Sequence, residues 1–303
     1  MTDALTRLGR NVVGRKRELE LVLAALDADR HIVLEGPPGT GKSTLLRAVA
    51  DVLGVGFEFV EGNAELTPAR LVGTFDPARV LNEGYVPDAF MDGPLVAAMR
   101  NGSLLYVEEI NRVPEETLNV LITVMSEGDI SVPRLGRIAA APGFRLVAAM
   151  NPFDSVGTAR ISGAIYDRVC RVAVGYQSLE DEVAIVARNV DGIDAGWIDG
   201  VVRVVRATRE HSDLRTGSSV RGAIDTALVA RSLAGLRGQT PMMPSVARDA
   251  VLTALSGRVR LREGVSRTTE DVILEIWDSI FAPRAESGDA GKDGAPTGAT
   301  NSR

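Results

Sequence analysis

Gly36-Pro37-Pro38-Gly39-Thr40-Gly41-Lys42-Ser43 is the stretch of this chain that decides the fold. It follows the apolar run Ile32-Val33-Leu34 and opens into the helix-forming run Thr44-Leu45-Leu46-Arg47-Ala48-Val49. Two glycines, a lysine and a hydroxyl at this spacing, between a strand and a helix, make a phosphate-binding loop. Glycine lets the backbone wrap around a polyphosphate, so that N–H groups and the helix N-terminus face its oxygens. Lys42 is placed to reach β- and γ-phosphates, and the Ser43 hydroxyl to ligate Mg²⁺. Thr44, on the first helical turn, completes the expected contacts. The pattern implies binding of a nucleoside triphosphate.

Composition narrows the partners. The 303 residues carry a net charge of −6, which argues against non-specific nucleic-acid binding through a broad basic face. A single cysteine, Cys170, excludes an intramolecular disulfide. Its strand-like setting, Arg168 to Val174, predicts a small buried hydrophobe. His31 and His211 stand far apart without a Cys/His cluster, so no zinc site is expected. No apolar signal core and no membrane-length apolar run is present; the expectation is a cytoplasmic chain.

Strands are expected at Ile32–Glu35, Gly56–Val60, Leu104–Glu108, Phe144–Met150 and Val169–Val174. Most are continuous apolar runs, the pattern of a parallel sheet buried on both faces. Their alternation with helices, starting from the amphipathic Arg15–Ala28, predicts a three-layer αβα sandwich over residues 1–175. Residues 61–93 are rich in Gly, Pro and Asp and too long for a plain connection. Residues 129–140 (DISVPRLGRIAA) read as a hairpin. From 176 to 284 the pattern is helical only, with capping boxes at Ser178–Asp181 and Thr268–Asp271. Residues 285–303 lack large apolar side chains and are expected to be disordered.

Downstream of the phosphate loop, Leu104-Leu105-Tyr106-Val107-Glu108-Glu109-Ile110-Asn111 is an apolar strand ending in two acids, a Walker B element. The first acid, Glu108, is the metal partner; the second, Glu109, can orient or deprotonate the water that attacks the γ-phosphate. A glutamate stands where aspartate is usual. Its extra methylene shifts the carboxylate by more than an ångström, which bears on turnover rather than on binding.

With these motifs the chain resembles AAA+ ATPases: P-loop NTPases with a parallel five-stranded sheet and a small all-α lid. More narrowly it resembles the MoxR family of the helix-2-insert branch, over roughly Leu8 to Phe281. Glu108–Arg112, EEINR, is similar to the family's DEINR. Asn151, between the strand and Pro152, resembles the sensor-1 asparagine that positions water against Glu109. Tyr166-Asp167-Arg168 resembles the family's LDR element, whose arginine is the finger offered to a neighbouring subunit's ATP. Arg160 is a weaker candidate for that interface and reads first as surface charge. Gly217 to Arg221 is similar to the sensor-2 segment, with Arg221 reaching the γ-phosphate of its own subunit. Val12-Val13-Gly14 resembles the linker that packs on adenine, with Val13 and Gly14 as its candidate contacts.

The resemblance implies ATP and Mg²⁺ as ligands, a homo-oligomer expected to be a hexameric ring, and chaperone-like remodelling of a partner complex, often with a von Willebrand factor A-domain protein. It makes residues 61–93 the helix-2 insert and 129–140 the pre-sensor-1 hairpin, both projecting toward a pore or partner. Tyr85 and Phe90 are the aromatic residues to watch there, and loop aromatics are more often local packing anchors. A nucleic-acid-associated ATPase and a slow-hydrolysing, nucleotide-gated scaffold are the alternative functions.

Overall fold

The computed structural model describes residues 2–152 and 163–281; Arg160 and the tail 285–303 lie outside them. In chain order, helices α1 (Thr2–Asn11) and α2 (Lys16–Asp27) lead into strand β1 (His31–Glu35), helix α3 (Lys42–Leu53) and strand β2 (Phe57–Glu61). Then come α4 (Pro68–Val72), β3 (Gly73–Phe75), α5 (Pro77–Glu83), β4 (Phe90–Asp92), α6 (Pro94–Asn101), β5 (Leu104–Glu108) and α7 (Glu115–Glu127). The hairpin β6 (Asp129–Val132) and β7 (Gly136–Ala139) precedes β8 (Arg145–Met150), α8 (Gly163–Tyr166) and β9 (Val169–Ala173).

β1, β2, β5, β8 and β9 form one five-stranded sheet in the order β2-β5-β8-β1-β9, parallel throughout. Side chains alternate between its faces, yet both faces are apolar because helices cover each. Ile32 and Leu34 of β1, with Tyr106 of β5, join Leu19, Val22, Leu45, Leu46 and Val49 on one side. Val33 of β1, with Leu105 and Val107 of β5, joins Leu95, Met99, Leu118 and Leu121 on the other. Each such fully buried aliphatic side chain contributes about 1.5–3 kcal/mol, so the sandwich is cemented on both sides of the strand that leads into the phosphate loop.

The edge strand β9 has a neighbour on one side only. Val172 is buried there, but Cys170 is exposed, which corrects the expectation of a buried thiol.

Residues 176–281 are mainly helical: α9 (Leu179–Asn189), α10 (Ala195–Glu210), α11 (Val220–Arg237), α12 (Pro244–Leu255) and α13 (Thr269–Phe281). They are not helical only. Leu214–Thr216 (β10) and Arg260–Leu261 (β11) pair antiparallel, too short to show an alternating pattern in sequence. Ala223, Ala227, Ala230 and Ala234 make a small-residue stripe on α11 within a core that also holds Val251, Leu255, Ile273 and Trp277.

Residues 61–93 fold into short helices and the antiparallel pair β3–β4. Tyr85 and Phe90 are both packed against Phe75, each with ring centroids 5.1 Å apart. Arg134, at the turn of the β6–β7 hairpin, stacks its guanidinium 3.7 Å over Tyr85. Val132 and Ile138 of the hairpin share a small core with Val96, Val72 and Phe90. The two projections are therefore joined to each other.

Candidate functional site

Strand order creates the site. β8 lies between β1 and β5, so the carboxyl ends of the three strands meet. Ligands of open parallel sheets bind outside such ends. The base of the phosphate loop is fastened on both sides: Gly36 N donates to Met150 O at 3.1 Å, and Val174 N to Glu35 O at 2.7 Å.

Within the loop, Gly39 (φ +74°) has a backbone that L side chains rarely adopt, and a Cβ there would lie 2.1 Å from Ser219 Oγ. Thr40 Oγ1 donates to Pro37 O at 2.9 Å, and Arg15 Nη2 donates to Thr40 O at 2.9 Å and Gly175 O at 2.7 Å. Arg15 thus joins the loop to the start of the helical region. Lys42 Nζ donates to the Gly36 and Pro37 carbonyls at 2.8 and 2.9 Å. Burial is the main reason its pKa falls to about 8; Arg221 and Arg15 lower it further, while Glu108 and Glu109 pull the other way. An ammonium held so reluctantly is poised for an anion.

Ser43 Oγ donates to the Glu108 carboxylate, with contacts of 3.0 and 3.2 Å, and lies 3.3 Å from Tyr106 Oη. The added methylene of Glu108 therefore does not prevent contact with the phosphate loop. A hydroxyl and a carboxylate oxygen about 3 Å apart are spaced as neighbouring ligands of an octahedral Mg²⁺ with bonds of about 2.1 Å. The donor set fits that ion: hard oxygens, few of them, with room left for phosphate and water.

Glu109 follows with φ +51°, an uncommon backbone for a side chain with Cβ, of a kind that costs about 1–3 kcal/mol and clusters at functional sites. The turn Ile110–Arg112 comes next, and Glu109 pairs with Arg112 at 3.0 Å. Glu108, Glu109, Asn151, Arg221 and Pro38 to Ser43 line one cavity of about 120 Å³. Four segments distant in sequence thus meet around the loop.

A second cavity of about 270 Å³ adjoins it. Val12, Val13 and Thr44 line it; so do Gln177, Ile185, Asn189 and Ile224, four residues that the sequence reading assigned to no site. Gly14 does not line it; it turns away, where a Cβ would strike the Asp181 carboxylate. Gly36 and Pro37 line neither cavity and present carbonyls to Lys42 instead. Arg15 carried a legible signal, a basic residue next to a glycine before a helix. Gln177 and Asn189 carried none, because only the fold brings them beside the loop.

Arg168 lines neither cavity. Its guanidinium donates to Ala164 O and Ser126 Oγ, held between α8 and the end of α7. The adjacent Tyr166 donates to Glu35 Oε1 at 2.6 Å, and Arg171 pairs with the same carboxylate. Burial, then the Glu35 contact, pushes the Tyr166 hydroxyl up to about 12, so it remains a donor. Among the described residues no group of three or more His, Cys, Asp or Glu could hold a metal, and no helix is long and apolar enough to cross a membrane.

Comparison with known proteins identifies the family. Residues 31–169 match the family model for the AAA domain of the dynein-related subfamily. The chaperone MoxR1 of Mycobacterium tuberculosis is 29% identical over 322 residues, covering 94% of this chain and 82% of that protein. The gas vesicle ATPase GvpN of Haloferax mediterranei is 28% identical over 267 residues, covering 83% and 75%. An uncharacterised Staphylococcus aureus protein is 30% identical over 223 residues, covering 73% of this chain and 82% of the relative. For the fold alone, a candidate ATPase from Cytophaga hutchinsonii superposes with a TM-score of 0.52 at 21% identity, covering 91% of this chain and 92% of the other. The Thermotoga maritima Holliday junction branch migration motor RuvB does so with 0.52 at 17%, covering 80% and 70%. By sequence, by sheet order and by the residues gathered around Lys42, the chain belongs to the AAA+ ATPases of MoxR type.

Proposed function

We propose that the chain hydrolyses ATP with Mg²⁺ at sites shared between subunits of a ring, and uses the cycle to remodel or mature a partner protein complex. The observation that carries this reading is a cavity containing Lys42, Ser43, Glu108, Glu109, Asn151 and Arg221, with Arg168 held outside it. The loop amides and Lys42 would hold the phosphates; Ser43 and Glu108 would hold the metal. Bound Mg²⁺ would supply charge neutralisation on the β- and γ-phosphate oxygens. Glu109 accepts a proton from the attacking water, and Asn151 orients that water by hydrogen bonding. Arg221, at the start of α11, reports the γ-phosphate to residues 176–284, which we read as a lid moving against residues 1–175. Arg168 stabilises the transition state in the adjoining subunit.

The linked insert and hairpin provide a rigid means of passing lid motion to a partner. A hexamer, a cytoplasmic setting and a von Willebrand factor A-domain protein as partner follow from the family likeness. The Ser43–Glu108 contact favours turnover over the slow-scaffold alternative, and the charge of −6 disfavours a nucleic-acid substrate.

Phosphate release by Glu109→Gln tests the reading. Turnover should fall at least a hundredfold with ATP binding retained, and ATP should then trap the partner in a pull-down. Unchanged hydrolysis would refute the assignment of Glu109.

A further inference from the structure

Tyr106 lies beneath the Ser43–Glu108 pair. It stands on β5 two residues before Glu108, so both side chains leave the strand on the same face. Its ring is fully buried and packs on those of Phe57 and Phe59, each with centroids 5.7 Å away. The cluster around it, with Leu45, Leu46, Val49 and Leu104, is apolar. A phenylalanine would satisfy that packing. A buried phenol needs in addition a hydrogen-bond partner for its hydroxyl. Tyr106 Oη finds one in Ser43 Oγ, 3.3 Å away.

Counting protons gives this contact a direction. A hydroxyl has one proton to donate and two lone pairs. Ser43 Oγ donates its proton to the Glu108 carboxylate at 3.0 Å, the better acceptor of its two neighbours because it is charged. The proton between Ser43 and Tyr106 is then the phenol's, and donation runs from Tyr106 to Ser43 to Glu108. Ser43 Oγ accepts the phenol with one lone pair and keeps the other for a cation. With both neighbours in place, the direction of that free lone pair is set. Without the phenol, the serine hydroxyl is held from one side only.

We infer that Tyr106 is a positioning residue for the divalent cation: by donating to Ser43 it orients the serine oxygen, so that Ser43 and the longer Glu108 side chain meet the ion together. The inference rests on the proposed Ser43–Glu108 metal site. Removing partners that orient a metal ligand from behind lowers metal affinity about 10–100-fold, and a contact as long as this one belongs at the lower end.

Tyr106→Phe keeps the ring and removes only the hydroxyl. Mn²⁺ is titrated into the full chain, held in excess over the β,γ-imido analogue of ATP, and followed by electron paramagnetic resonance; this reads metal affinity without turnover. The variant should bind Mn²⁺ about tenfold more weakly, while its affinity for the analogue in EDTA stays unchanged. Ser43→Ala removes the intermediary, so adding Tyr106→Phe to it should shift Mn²⁺ affinity by less than about twofold. Unchanged Mn²⁺ affinity in Tyr106→Phe would overturn the inference, leaving Tyr106 a packed core ring. Equal weakening of the analogue in EDTA would overturn it too, by showing a disturbed fold instead of a misplaced ligand. So would a full tenfold effect in the Ser43→Ala background, which would mean that the phenol does not act through Ser43. If the unmutated complex holds Mn²⁺ no more tightly than the free analogue does, the Ser43–Glu108 metal site itself is overturned.

Discussion

Lys42 carries a pH signature that can be measured. Its buried ammonium has a pKa near 8, against 10.5 ordinarily, so folding without an anion favours the neutral form. The unfolded chain binds more protons between about pH 8 and 10.5, and stability of the nucleotide-free protein should rise with pH across that window. Over the full shift this amounts to about 3 kcal/mol. A polyphosphate reverses the sign by raising the pKa of the bound ammonium. ATP affinity should be full below pH 8 and decline by up to about tenfold per unit above it. Calorimetry at pH 8.5 in buffers of different ionisation enthalpy should show proton uptake on binding. A flat affinity from pH 7 to 9.5 would contradict the pKa assignment. At this scale the sequence was most legible where chemistry is local. Lys42, Ser43, Glu108 and Glu109 announce themselves by spacing, whereas Gln177 and Asn189 line the second cavity only because the fold brings them beside the loop.

Elements owe their legibility to length and burial. The five strands of the sheet read as apolar runs because both of their faces are covered, and the structure moves their ends by only a residue or two. β10 and β11, of three and two residues, hold no period, and Cys170 was misjudged because an edge strand is covered unevenly. The helical region also contains a feature that apolar patterns cannot show. Glu182 of α9 is 1% exposed and pairs with Arg206 at 3.0 Å and Arg209 at 2.8 Å, both on α10. Arg209 also donates to Ser218 O at 2.7 Å, just before α11 begins with Val220 and Arg221. Glu182→Ala should cost about 3–5 kcal/mol, because two arginines lose a buried partner. Thermal unfolding should register that loss; a change below about 1 kcal/mol would show that the arginines are rescued by solvent. On the opposite side of the site, Tyr166→Phe removes one of two partners from the buried Glu35 carboxylate. The expected cost is about 1–2 kcal/mol in denaturant unfolding. Loss of ATP hydrolysis beyond that destabilisation would mean that α8 also sets the position of Arg168.

For the whole molecule, the decisive fact is where arginines stand relative to one cavity. Arg221 lines it from the helical region, while Arg168 is carried by α8 and held by Ser126 and Ala164 away from it. On the proposed reading, a monomer would bind ATP with one wall of the site missing. Mixing two inactive variants tests this directly. Lys42→Ala subunits retain Arg168 but cannot hold the triphosphate, and Arg168→Ala subunits retain the phosphate loop but offer no finger. Each alone should be inactive in phosphate release. Their mixture should regain ATPase activity, at interfaces where an intact loop faces an intact Arg168. Absence of recovery in mixed assemblies shown to be intact would contradict a site shared between subunits.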